Sequence, residues 1–166
     1  MDDVSIDRCT PQHWRRYRDI RLRSLADAPS AFYHSYAEES GLDERAWRSR
    51  LTDVDRASLV AVRAGGDVGI VSVGPPTWDE QADPEFYDLG AFWVAPQARR
   101  REVARKLLDA ALEHARGKGA KGVTLWVIGE NPPAQRLYES AGFALTGRES
   151  EIPGRSDVER EMRLTF

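Results

Sequence analysis

The chain has 166 residues, 41% hydrophobic and 31% charged, with a formal net charge of −3. That length fits one core-bearing domain over residues 1–166, and the acidic balance argues against a general nucleic-acid-binding surface. Cys9 is the only cysteine, which excludes an intrachain disulfide and a thiolate cluster, and His13, His34 and His114 show no metal-ligand spacing, so no metal site is expected. No apolar run approaches the roughly 20 residues that span a bilayer, and the acidic start MDDVSIDRCT lacks the layout of a signal peptide. A cytoplasmic protein with no membrane and no nucleic acid as partner is the expectation.

In chain order, VSIDR alternates and predicts a first strand. TPQHWRRYRDIRLRSLADAP predicts a helix capped by Thr10, with Pro11 at its first position and Pro29 closing it. SAFYHSYAEES reads as either a short helix or an irregular lid, and LDERAWRSRL as a helix capped by Asp43. ASLVAVRAGGDVGIVSVG predicts two strands joined at Gly65-Gly66-Asp67. After the Pro-rich loop PPTWDEQADP, EFYDLGAFWVAP predicts a strand apolar enough to be buried on both faces.

A helix is expected over roughly residues 99 to 116, ended by Gly117 and Gly119, and KGVTLWVIG reads as a buried strand. Asn131 and Pro132 open a short helix that Gly142 follows. FALTGRESEI and DVEREMRLTF complete the chain as strands around Pro153-Gly154. The order of elements predicts an α/β (α+β) class, with a mixed, mostly antiparallel central sheet flanked by helices.

The joint VAPQARRREVARKLL, residues 94 to 108, carries the densest charge pattern. Unpaired amides and the dipole at a helix start favour phosphate there, and Arg99, Arg100, Arg101 and Arg105 add positive potential. A solvated basic face explains the same run equally well. A nucleic-acid face on RRREVARK is disfavoured by the acidic total and by the absence of interleaved aromatics.

The chain resembles the GNAT superfamily of acetyl-CoA-dependent N-acetyltransferases. The matching motifs are VAP at 94–96, Arg99 to Ala104, the Leu107-Leu108 pair, and NPPAQRLYESAGF at 131–143; RLRSLADAPSAF at 21–32 is similar to the family's acceptor-side helix and loop. The resemblance implies the GNAT fold, acetyl-CoA as acyl donor, a primary amine of a small molecule, peptide or protein as acceptor, and a possible homodimer. It implies that Phe92, Trp93 and Val94 bind the pantetheine arm through their backbone, with the Val94 amide polarising the thioester. Arg99, Arg100, Arg101, Glu102, Val103, Ala104 and Arg105 then form the pyrophosphate loop, Asn131 bonds the pantetheine, and Tyr138 contacts the cofactor and acts as general acid.

The loop departs from the family where Glu102 and Arg100 stand at commonly glycine positions. Glu102 either turns outward or pairs with a neighbouring arginine, or it weakens cofactor binding, or it abolishes the site; the surrounding arginines and Ala104 favour the first. Asp88 is either the general base or a polar residue near a strand start, Glu38 and Glu39 compete for the role, and a water relay needs no single base. His34 is an acceptor-pocket or surface residue, and Tyr33, Tyr36, Trp47 and Trp78 belong either to an acceptor pocket or to the core. The alternative function is a GNAT-fold acyl-CoA-binding or regulatory module without turnover.

Overall fold

The computed structural model describes residues 3–99 and 101–166. Its strands are β1 (Val4–Arg8), β2 (Ala57–Arg63), β3 (Gly66–Gly74), β4 (Phe86–Val94), β5 (Gly122–Ile128), β6 (Ala144–Glu151) and β7 (Val158–Thr165). They form one sheet in the order β1-β2-β3-β4-β5-β7-β6. Among the described residues only β4 and β5 pair in parallel; the other neighbours are antiparallel. A parallel pair needs a crossover, and here α4 (Arg101–Gly117) provides it.

The two faces of the sheet are covered differently. On one, α4 buries Val103, Leu107, Leu108, Ala111, Leu112 and Ala115, a stripe at helical spacing, against Val71, Leu89, Val123, Leu125 and Met162. The helix comes so close that a Cβ on Gly69 would lie 2.7 Å from Leu107 Cδ1. On the other face, α1 (Trp14–Asp27) and α3 (Glu44–Ser49) pack Trp14, Tyr17, Ile20, Leu25 and Trp47 over Val60, Ile70 and Trp93. Trp47 is fully buried and meets Tyr17 edge-on at 6.1 Å, so it belongs to the core. This second layer lies over β2–β4, and no helix core of its kind forms over β5 and β7 among the described residues.

Several boundaries differ from the sequence expectation. Thr10 and Pro11 open a 3₁₀ turn (Pro11–His13), in which the Thr10 amide donates to His13 Nδ1 at 3.0 Å, and α1 starts only at Trp14. SAFYHSYAEES resolves into a 3₁₀ turn (Pro29–Ala31) and α2 (Tyr36–Ser40), which Ser35 caps. The β2–β3 turn is Ala64-Gly65, with φ of 51° and 76°, one residue earlier than predicted. Helix α4 starts at Arg101, so Arg99 stands outside it. Strand β4 is not buried throughout: Asp88, Gly90, Ala91 and Phe92 are half-buried. The reason is a bulge, since Ile70 pairs with Trp93 but Ser72 pairs with Gly90, with Ala91 held at φ 54°.

Candidate functional site

The site grows from that bulge. Pairing of β4 with β5 ends at Leu89↔Leu125, although β4 continues to Val94 and β5 to Ile128. The two parallel strands therefore part and open a gap. Trp93 faces Ile70 across β3, and the Ala95 amide donates to Val68 O at 2.8 Å. By the alternation of an antiparallel ladder, the N–H and C=O of Val94 point the other way, into the gap. The carbonyl accepts from Arg99 Nε at 3.1 Å, which leaves the amide as the open group.

Arg99 is thus tied to the end of its own strand. Its guanidinium also donates to Asp27 at the end of α1, and Trp93 Nε1 donates to the same carboxylate at 3.0 Å. Arg105 donates to Asp109 at 3.0 Å and to Ser140 Oγ at 3.4 Å, reaching across to α5 (Pro132–Ser140). Arg100 lies outside the described residues. Arg99 and Arg105 are therefore each engaged by a carboxylate, on α1 and on α4 respectively. Glu102 is exposed and ion-paired with Lys106, one helical turn on, at 3.4 Å. It turns outward, and its partner is a lysine, not one of the arginines.

Helix α5 forms a wall of the gap. The Asn131 Oδ1 accepts from the Ala134 amide at 3.4 Å and so caps the helix, as its sequence signature predicts. Two turns later the Tyr138 ring packs edge-on between Phe92 and Phe143, each centroid 5.9 Å away. Burial raises its phenol above the ordinary tyrosine value. The hydroxyl has no hydrogen-bond partner among the described residues, and it is not one of the unpartnered atoms sealed from solvent.

Asp88 stands on the opposite face from α4. It accepts from Trp78 Nε1 at 3.2 Å, and burial pushes its carboxyl up to about 6 against the lowering effects of that bond and of Arg56. It borders a cavity of about 500 Å³ together with Ser72, Gly90, Ala91, Arg56, Arg21 and His34. Arg56 is fixed there by Ser72 Oγ at 3.2 Å and Pro75 O at 2.7 Å.

Of the rival bases, Glu39 is clamped by Arg21 at 3.1 and 3.0 Å and by Arg50 at 2.7 Å. Burial pushes its carboxyl up, but these two arginines outweigh burial and hold it below the ordinary value, so it makes a poor base. Glu38 is exposed and lies 3.2 Å from His34 Nδ1. Tyr33 and Tyr36 are about half exposed, whereas Trp78 lies over the open part of the sheet, 5.9 Å from Trp126.

Residues that sequence reasoning passed over gather on this same open face: Trp126, Arg148, Glu159 and Glu161. Arg148 bonds Glu161 at 2.8 Å and Asp79 at 3.2 Å. The signal was present in VEREMRLT, where Glu159, Glu161 and Arg163 alternate with Arg160, Met162 and Leu164.

The model of the Acetyltransferase (GNAT) family matches residues 18–143. The chain is 31% identical over 133 residues to a mycothiol acetyltransferase of Propionibacterium freudenreichii, covering 78% of this chain and 42% of that one. It is 34% identical over 101 residues to the streptothricin acetyltransferase of Streptomyces lavendulae, covering 60% of this chain and 51% of that one. The chain thus spans about half or less of the length of these relatives. Its fold is similar to that of a phosphinothricin acetyltransferase from Sinorhizobium meliloti, solved in complex with acetyl-CoA. The TM-score is 0.78 at 16% identity, over 98% of this chain and 88% of that one. With the family model matching most of its length, the chain belongs to the GNAT acetyltransferase family.

Proposed function

We propose that the chain is an N-acetyltransferase that moves the acetyl group of acetyl-CoA to a primary amine. The parting of β4 from β5 after Leu89↔Leu125 carries this reading, because it leaves the Val94 amide open to the gap near the Phe92–Tyr138 wall. A pantetheine arm laid along residues 92–94 adds to the strand edge as a further strand does. Arg99 already occupies the Val94 carbonyl, so the amide is the group left to polarise a thioester oxygen. The first-turn amides of α4, from Glu102 to Arg105, seat the diphosphate, and the outward turn of Glu102 keeps its carboxylate off them. Asn131 caps α5 with its oxygen and keeps its NH₂ for the arm.

In the reaction the neutral amine attacks the thioester carbon and the C–S bond breaks. Asp88 takes the amine proton, directly or through water. A carboxyl pushed up to about 6 is largely ionised at neutral pH and more basic than an ordinary aspartate. Tyr138 gives its phenolic proton to the departing sulfur, and burial keeps that proton in place until it is needed. Exchange with solvent then returns the proton from Asp88 and restores Tyr138. The two curated relatives share the transferred group but are named for different acceptors, so neither acceptor is carried over to this chain.

Calorimetric titration with acetyl-CoA, followed by an assay of thiol release against a panel of amines, tests the reading. Binding with release is expected. No binding at millimolar acetyl-CoA overturns it, and binding without release for any amine leaves the module without turnover.

A further inference from the structure

On the open face of the sheet one buried carboxylate has no partner among the described residues. Met162 packs in the α4 core, so strand alternation puts Glu159, Glu161 and Arg163 on the opposite side, shared with Asp88 and Trp126. Glu161 is bonded to Arg148 at 2.8 Å and to Thr146 at 2.9 Å, and Arg148 also holds Asp79. Arg163 sits over the Phe86 ring at 4.2 Å, four residues along the strand from Glu159. Asp88 has the Trp78 indole.

Glu159 is 5% exposed and has no hydrogen bond or ion pair among the described residues. Its oxygens are not among the sealed, unpartnered atoms, so what remains open of it meets solvent. Burial, then the charges of Asp88 and Asp79, push its carboxyl up, and no guanidinium among the described residues offsets them. An ionised carboxylate in such a place is costly unless a cation joins it.

Its position gives that cation a source. Ile128↔Glu159 is the end of the β5–β7 ladder, three residues past Leu125, where β4 leaves β5. Glu159 therefore stands at the end of the ladder that flanks the gap, on the same face of the sheet as Asp88. Trp78, 54% exposed and bonded to Asp88, adds an aromatic surface on this face of the sheet.

We propose that Glu159 is a specificity-determining residue that anchors a second cationic group of the acceptor. The preferred acceptor is then a diammonium compound, with one nitrogen neutralised for attack near Asp88 and the other held charged at Glu159. The proposal rests on the N-acetyltransferase reading above.

The test uses α,ω-diamines from 1,3-diaminopropane to 1,6-diaminohexane and the monoamines of matching length. For the best diamine, kcat/KM is expected to exceed that of its monoamine by about tenfold or more, as one charge-assisted bond contributes. Glu159→Gln is expected to erase that preference while the monoamine rate and the acetyl-CoA Kd stay unchanged, and Glu159→Asp to restore part of it. Equal rates for mono- and diamines, or a preference that survives Glu159→Gln, overturn the proposal. Calorimetric binding of the same diamines, in the presence of CoA, gives a readout independent of turnover. Diamine binding that depends on Glu159 in a protein that acetylates nothing keeps the anchor and overturns the enzymatic reading. Binding that ignores Glu159→Gln overturns the anchor, and thermal melting verifies that the variant is folded.

Discussion

Glu39 and Glu159 are both almost fully buried carboxylates, 2% and 5% exposed, and the molecule treats them in opposite ways. Glu39 receives three hydrogen bonds from Arg21 and Arg50, which join α1, α2 and the end of α3 into one clamp. Glu159 receives none among the described residues, and its neighbours Asp79 and Asp88 are of like charge. A carboxylate neutralised from within the fold explains a shape. One left without a counter-charge at the edge of a gap points outward, to something the chain itself does not contain.

The largest expected effect tests the closed half of that comparison. Arg21→Met leaves Glu39 with Arg50 alone and should destabilise the fold by about 3–5 kcal/mol in urea unfolding, the usual cost of breaking a buried pair. Adding Glu39→Leu should recover most of the loss. A single variant that loses less than about 1 kcal/mol would mean that the clamp is not structural.

Tyr138→Phe comes next. It should lower kcat about 10²-fold with the acetyl-CoA Kd within about twofold, because the ring keeps its contacts with Phe92 and Phe143 while the proton is lost. Unchanged turnover returns Tyr138 to the core.

Asp88→Asn is expected to act through pH. The wild-type kcat/KM should rise as pH passes through about 6, where Asp88 ionises, and the variant should be about tenfold slower and lack that limb. The same shift has a stability sign. An acid whose folded pKa is raised contributes stability below its unfolded value, near 3.8, and loses it as pH rises through about 6. Between those limits wild-type stability should fall relative to Asp88→Asn, and melts at pH 4 and pH 6.5 would show it. Parallel curves for the two proteins would remove Asp88 from this role.

What was legible in the sequence was local. The α4 stripe, the Asn131–Pro132 start of α5 and the strand at Gly122–Ile128 follow from periodicity and capping, because the groups that decide them are within a few residues. The ion pair of Arg99 could not be read from the sequence, because its partner, Asp27, lies 72 residues away. The bulge in β4 was hidden because it rests on Ala91 at φ 54°, where glycine would have been the visible sign. The charge alternation in β7 could be read, but not its meaning: Arg148, Asp79 and the lack of a covering helix decide which acid stays unpaired.

Glu102 extends the comparison to an exposed carboxylate, and it should give the smallest effect. Its side chain is 62% exposed and held by Lys106, so its charge is screened by water and already matched. Glu102→Gly removes that pair and a good helix former from the first turn of α4, which should lower stability by about 1 kcal/mol. The acetyl-CoA Kd should shift by less than about threefold, since a side chain turned toward Lys106 leaves the neighbouring amides open whichever residue stands there. A tightening of tenfold or more on calorimetric titration would place the carboxylate over the diphosphate instead. Glu102 would then resemble Glu159, an acid working against its surroundings, and the reading without turnover would gain its first physical support.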